Sequence, residues 1–146
     1  MKTVIVFASH HHGNTQKLVD AIARRHPVVT IDATQQSYAD LSEFDLIGFA
    51  SGIDFGGFYE PVESFLLEHL PEKKRVFFLY TCGKPRKGFT DRLRACVLEK
   101  GSLPVGEYGC PGYNTYGPLK WIGGINRERP SKDDCEAAVR FYEALL

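Results

Sequence analysis

The chain has 146 residues, 43% of them hydrophobic, which suits one domain with a sizeable core. Lys plus Arg and Asp plus Glu balance at 18 each, so the formal net charge is zero and nothing points to nucleic acid or a charged membrane as the main partner. No stretch approaches the roughly 20 apolar residues of a membrane helix.

The N-terminal apolar run, Thr3-Val4-Ile5-Val6-Phe7-Ala8, reads as a buried strand. It is short and gives way at once to a polar turn, so no signal peptide is expected. A helix is predicted from about Asn14 to Arg25, with Leu18, Val19, Ile22 and Ala23 on its apolar face. Val28–Ile31 is a short second strand, and residues 33–43 are a polar loop. Leu46–Ala50 is a third strand, apolar on both faces and therefore central. Ser51–Tyr59 carries too many glycines for a strand interior and is expected to be a flexible turn. A helix follows Pro61, with Val62, Phe65, Leu66 and Leu70 on one face. Val76–Tyr80 is the fourth strand, and Thr81–Gly88 is a loop. A helix over 89–100 turns Phe89, Leu93, Cys96 and Val97 inward.

The fifth strand, near Leu103–Cys110, contains Pro104 and Gly106, which suits a sheet edge. Residues 111–130 hold four glycines and no periodicity, a loop length usually tied to function or mobility. Ser131 and Asp134 read as a helix N-cap pair before a last helix presenting Cys135, Ala138, Val139, Tyr142 and Leu145. Cys82, Cys96, Cys110 and Cys135 form no C-x-x-C pair, so a cytoplasmic protein with reduced thiols is expected.

Alternating strands and helices predict an α/β fold: a doubly wound five-stranded parallel sheet, order 2-1-3-4-5, with helices on both faces, spanning 1–146 as one domain. Such sheets bind ligands beyond the carboxyl ends of their strands, where the winding reverses between strands 1 and 3. That rule gathers three stretches: Ser9–Thr15, the loop after strand three, and Thr81–Gly88. The first joins a buried strand to a helix start. Free first-turn amides and the helix dipole make such a junction an anion site. Asn14 and Thr15 add side-chain donors, Gly13 lets the backbone approach, and the loop holds no Lys or Arg. Neither a nucleoside-triphosphatase loop nor a G-x-G-x-x-G fingerprint is present.

His10-His11-His12-Gly13-Asn14-Thr15 resembles the flavodoxin phosphate loop, [ST]-x-[ST]-G-x-T. Gly13, Asn14 and Thr15 fit directly. His10 and His12 replace hydroxyl residues, with Ser9 just upstream as a substitute. The likeness extends over nearly the whole chain, in its short form without a long insertion in strand five. It most resembles a small flavodoxin-like group with an S-x-H-H-G-N-T loop and a glycine-rich segment after strand five.

The resemblance implies FMN as cofactor. Ser9, His10, His11, His12, Gly13, Asn14 and Thr15 would take its phosphate. Ser51, Gly52, Ile53, Asp54, Phe55 and Gly56, with Thr81, Cys82 and Gly83, would flank its ring. It also implies electron transfer with a partner reductase and an acceptor; no residue is expected to act as general acid, base or nucleophile. In this family a backbone carbonyl turns toward the reduced ring, for which Gly52, Gly56 and Gly57 are candidates. Asp54 would disfavour a negatively charged reduced ring. The zero net charge departs from the acidic character of familiar flavodoxins, and the family's stacking tryptophan is missing from the loop after strand three.

Other readings stand beside these. The histidine run is also compatible with a metal ligand set or a plain exposed turn. Cys82 is either a redox thiol or a small neutral loop residue. Phe58 and Tyr59 either stack on the ring or staple the next helix to the core. The loop over 112–124 is compatible with closing over a cofactor, docking a partner or forming a dimer contact. A flavin-dependent NAD(P)H or quinone reductase is the alternative activity, with Lys84, Arg86 and Lys87 placed to hold a 2′-phosphate. A fold member that binds no flavin is a further alternative. A signalling receiver is rejected, because Ala8-Ser9 and Ala50-Ser51 stand where its acidic residues belong.

Overall fold

The computed structural model describes residues 1–9, 13–113, 121, 124–126 and 128–146. The elements run β1 (Thr3–Ala8), α1 (Asn14–Ala23), β2 (Val28–Asp32), β3 (Leu46–Asp54), β4 (Gly57–Phe58), α2 (Glu60–His69), β5 (Arg75–Cys82), α3 (Asp91–Glu99), β6 (Leu103–Pro111) and α4 (Lys132–Glu143). The main sheet is parallel, in the order β2-β1-β3-β5-β6, with β4 paired antiparallel to the end of β3. Counting only the parallel strands, this is the expected order with its reversal between β1 and β3.

Successive side chains of a strand point to opposite faces, and the core divides accordingly. Val4, Val6, Ile47, Phe49, Val76 and Phe78 pack with Val62, Phe65 and Leu66 of α2 and Leu93 and Val97 of α3. Ile5, Phe7, Ala50, Phe77 and Leu79 pack with Val19 and Ile22 of α1 and Val139 and Tyr142 of α4. β1 is buried along its whole length. Among the described residues, no helix is long and apolar enough to cross a membrane.

Two expectations need correction. The glycine-rich stretch after strand three is not a flexible turn from Ser51 onward. β3 continues to Asp54, because Gly52 pairs with Thr81 of β5 and Ile53 and Asp54 pair with Phe58 and Gly57. Gly52 sits inside the strand because the Tyr59 ring lies over it: a Cβ there would come within 2.3 Å of Tyr59 Oη. Nor do Thr81 and Cys82 begin a loop. Both complete β5, where they are buried against β6.

β6 occupies the edge, as its Pro104 and Gly106 require, and its register slips opposite Val76 and Phe77. The Ser131–Asp134 pair forms a full capping box at the start of α4. Glycines also set spacing between strands. Gly48 lies opposite Phe77, and a Cβ on it would fall 2.3 Å from that ring. Gly109 stands in the same relation to Tyr80 on the other face, at 2.1 Å. Gly48→Ala is therefore expected to overpack the sheet and cost about 1–3 kcal/mol, read as a lowered urea midpoint with an unchanged m-value.

Candidate functional site

The register aligns the polar ends of the parallel strands on one rim. Ala8 pairs with Ser51, Gly52 with Thr81, Thr81 with Cys110 and Cys82 with Pro111. α1 starts from this rim. Its N-cap is Gly13, left-handed at φ 66°, with no side-chain cap of its own. Ser9 supplies a hydroxyl instead, accepting from the Gln16 N–H at 3.3 Å. His10, His11 and His12 lie outside the described residues, and with them the metal reading.

Asn14 and Thr15 turn inward and tie the helix start to the neighbouring strands. Thr15 Oγ1 and Thr81 Oγ1 share a buried hydrogen bond at 3.0 Å. Asn14 Nδ2 donates to the Tyr113 carbonyl at 2.8 Å. A Cβ on Gly112 would lie 2.6 Å from that same Nδ2, so the chain after β6 is pressed against Asn14. Asn14 Oδ1 is buried and, among the described residues, has no hydrogen-bond partner. A buried acceptor without a donor is costly. It stands beside a helix start whose amides favour an anion. Amide donors beside an unpaired acceptor suit a ligand carrying both a phosphate and hydroxyl groups.

Beyond the rim rises the β3–β4 hairpin. Ser51, fully buried, holds its base: Oγ accepts from the Tyr59 N–H at 2.8 Å and donates to the Gly52 carbonyl at 2.6 Å. Asp54 and Gly57 pair across a two-residue turn, Phe55-Gly56. Both turn residues have positive φ, 50° and 78°, as the tightest hairpin turns require. Of the three candidate glycines, Gly56 alone has positive φ. Gly is at ease there; Phe is not. Phe55 is 95% exposed, so no burial offsets its strained backbone. Phe58 is core: it is buried and meets Phe78 edge-on at 5.8 Å between ring centroids. Tyr59 is half-buried, and burial first, then the Asp54 charge, raises its phenol pKa.

The third stretch is closed by contacts that spacing gave no sign of. Asn126 Nδ2 donates to the carbonyls of Gly83, at 2.9 Å, and Gly112, at 3.3 Å. Tyr113 N–H donates to the Arg129 carbonyl, and Arg129 holds Asp134 at the α4 cap. The described part of 111–130 thus folds back on the rim. Residues 114–120, 122, 123 and 127 lie outside the described residues. Cys82 Sγ donates to the Cys110 carbonyl at 3.7 Å. Burial pushes the Cys82 thiol up to about 11 and, with the Asp134 charge adding, Cys110 up to about 12. Both are neutral thiols at neutral pH, and neither is an activated nucleophile.

Among known proteins, a flavodoxin-domain family model matches residues 4–106. A protein of Methanocaldococcus jannaschii, uncharacterized protein MJ0298, is 35% identical over 148 residues, covering 100% of this chain and 99% of that protein. Oxidised Flavodoxin 1 from Bacillus cereus superposes with a TM-score of 0.65 at 18% identity, covering 97% of this chain and 94% of its own. A flavodoxin from the domain Archaea gives 0.64 at 17% identity, covering 94% and 92%.

Phe55→Asn is expected to stabilise the protein by about 1 kcal/mol, since Asn tolerates left-handed backbone that costs Phe roughly 1–2 kcal/mol. Urea unfolding checks this. The buried thiols predict a pH dependence. In the unfolded chain they ionise near 9.0, and in the folded chain only near 11 to 12. The folded state therefore holds their protons longer, and their contribution, complete below pH 9, is lost as pH rises toward 11. Urea midpoints should fall across that window, and fall less in Cys82→Ala.

Proposed function

The chain belongs to the flavodoxin family, and from that premise we propose that it binds FMN and serves as a cytoplasmic electron carrier between partner proteins. The observation that carries the proposal is the convergence on one rim of an amide-rich helix start, the buried Asn14 Oδ1, unpaired among the described residues, and an aromatic-tipped hairpin. When bound, FMN supplies one- or two-electron chemistry, and the protein sets its surroundings.

The first-turn amides of α1, the Thr15 hydroxyl and the histidines would hold the phosphate. Asn14 Oδ1 would accept from a tail hydroxyl. Ser51 keeps the hairpin base in place, and Ile53–Gly56 would lie beside the ring, as would Thr81–Gly83 on its other flank. Magnitudes show why tail and ring both matter. A helix terminus contributes about 0.3–1 kcal/mol, up to ~2 when partly buried. Micromolar affinity needs about 8 kcal/mol. Burying on the order of 200 Å² of ring gives roughly 5 kcal/mol, and stacking on an aromatic adds about 0.5–1.5 kcal/mol. The phosphate end orients, and the ring end holds.

A second reading, a flavin-dependent NAD(P)H or quinone reductase, draws on the exposed cations Lys84, Arg86 and Lys87. Steady turnover of NADPH with a quinone, with no second protein present, would establish it. Titration with FMN, followed by absorbance and flavin fluorescence, tests the primary reading. Binding in the micromolar range or tighter is expected. Thr15→Ala should weaken it roughly tenfold, the loss of one hydrogen bond, while Cys135→Ser should leave it unchanged. Equal affinity in the two variants, or no binding with excess FMN, would overturn the assignment.

A further inference from the structure

The loop after β5 carries three exposed cations, Lys84, Arg86 and Lys87, and no acid between Gly83 and Gly88. The ion pairs of the described residues involve none of them. Arg86 is held in place: its guanidinium lies 4.8 Å from the centroid of the Phe89 ring. Its Nη2 also lies 3.0 Å from where a Gly56 Cβ would be. The basic loop therefore leans on the hairpin tip, whose Phe55 is 95% exposed. The acids nearest in the chain are Asp54, beside the tip, and Asp91, whose carboxylate approaches Gly88. The patch is net positive although the whole chain is neutral.

An exposed aromatic with a basic loop leaning on its turn is the anatomy of a docking surface: an apolar anchor with charges that steer approach. The strained backbone of Phe55 points the same way. A tight turn is cheaper with Asn or Gly at that position, so the ring is presented at a cost. We propose that Phe55, Lys84, Arg86 and Lys87 form the docking face for an acidic electron-transfer protein. This identifies the partner chemistry of the carrier proposed above and rests on that reading. One electron moves between the two proteins, with no bond made or broken. The opposite occupant, a dinucleotide phosphate, is less well matched. The two lysines stand on an exposed loop, and Arg86 is already engaged with Phe89.

The test is an NMR titration of the isotope-labelled chain, FMN-free and FMN-loaded. The probes are an acidic [2Fe–2S] ferredoxin, a basic cytochrome c and 2′,5′-ADP. Ferredoxin should shift the amides of residues 55–57 and 84–88, cytochrome c should not, and binding should weaken at least about fivefold between low and physiological salt. Lys84→Glu/Lys87→Glu should weaken ferredoxin binding about tenfold or more, with FMN affinity and urea midpoint unchanged. Shifts on another face, equal binding of cytochrome c, or undiminished binding by the double variant would overturn the docking face. So would shifts of residues 84–88 by 2′,5′-ADP without any by ferredoxin. Ferredoxin docking on a chain that takes up no FMN would support the surface while sinking the carrier reading. FMN uptake without docking would do the reverse.

Discussion

Everything at the candidate site follows from the register of a parallel sheet. Parallel strands end on the same side, so their polar ends are gathered on one rim. The reversal of strand order between β1 and β3 opens that rim to a ligand. Ala8 opposite Ser51 and Gly52 opposite Thr81 bring the first three stretches of interest together without any long side chain reaching across. The buried Thr15–Thr81 hydrogen bond then locks the helix start to the floor. Remove the register and no local motif survives as a site.

Much of this was legible in the residues. The apolar run of β1, the polar turn after it and the amphipathic α1 define a strand–loop–helix unit by pattern alone. Pro61 near the start of α2 and the Ser131–Asp134 box of α4 are local signals, and local signals transfer. The length of β3 was not legible, because propensity disfavours glycine in a strand. A tertiary contact, the Tyr59 ring over Gly52, offsets that propensity. The same holds for the supports of the site. Asn14 meets Tyr113 across 99 residues of chain, and Gly83 meets Asn126 across 43. Such pairings leave no periodic trace in an irregular segment.

The two ends of the candidate site differ in physical character. The helix start offers neutral donors in fixed directions, and Asn14 Nδ2 and the Thr15 hydroxyl also tie it to the neighbouring chain. The far end, where Arg86 meets the hairpin tip, offers exposed charge and an exposed ring. Fixed dipoles at one end and exposed charge at the other stand on separate loops.

The paired voids at Gly48 and Gly109 constrain the sheet in a further way. Each receives an aromatic ring from β5, Phe77 on one face and Tyr80 on the other. A strand displaced by one position would present both rings to the wrong side. The two rings act as opposed teeth of a ratchet. Misaligned assembly of β3, β5 and β6 is blocked from above and below, and the rim inherits its alignment from a lock set deep in the sheet.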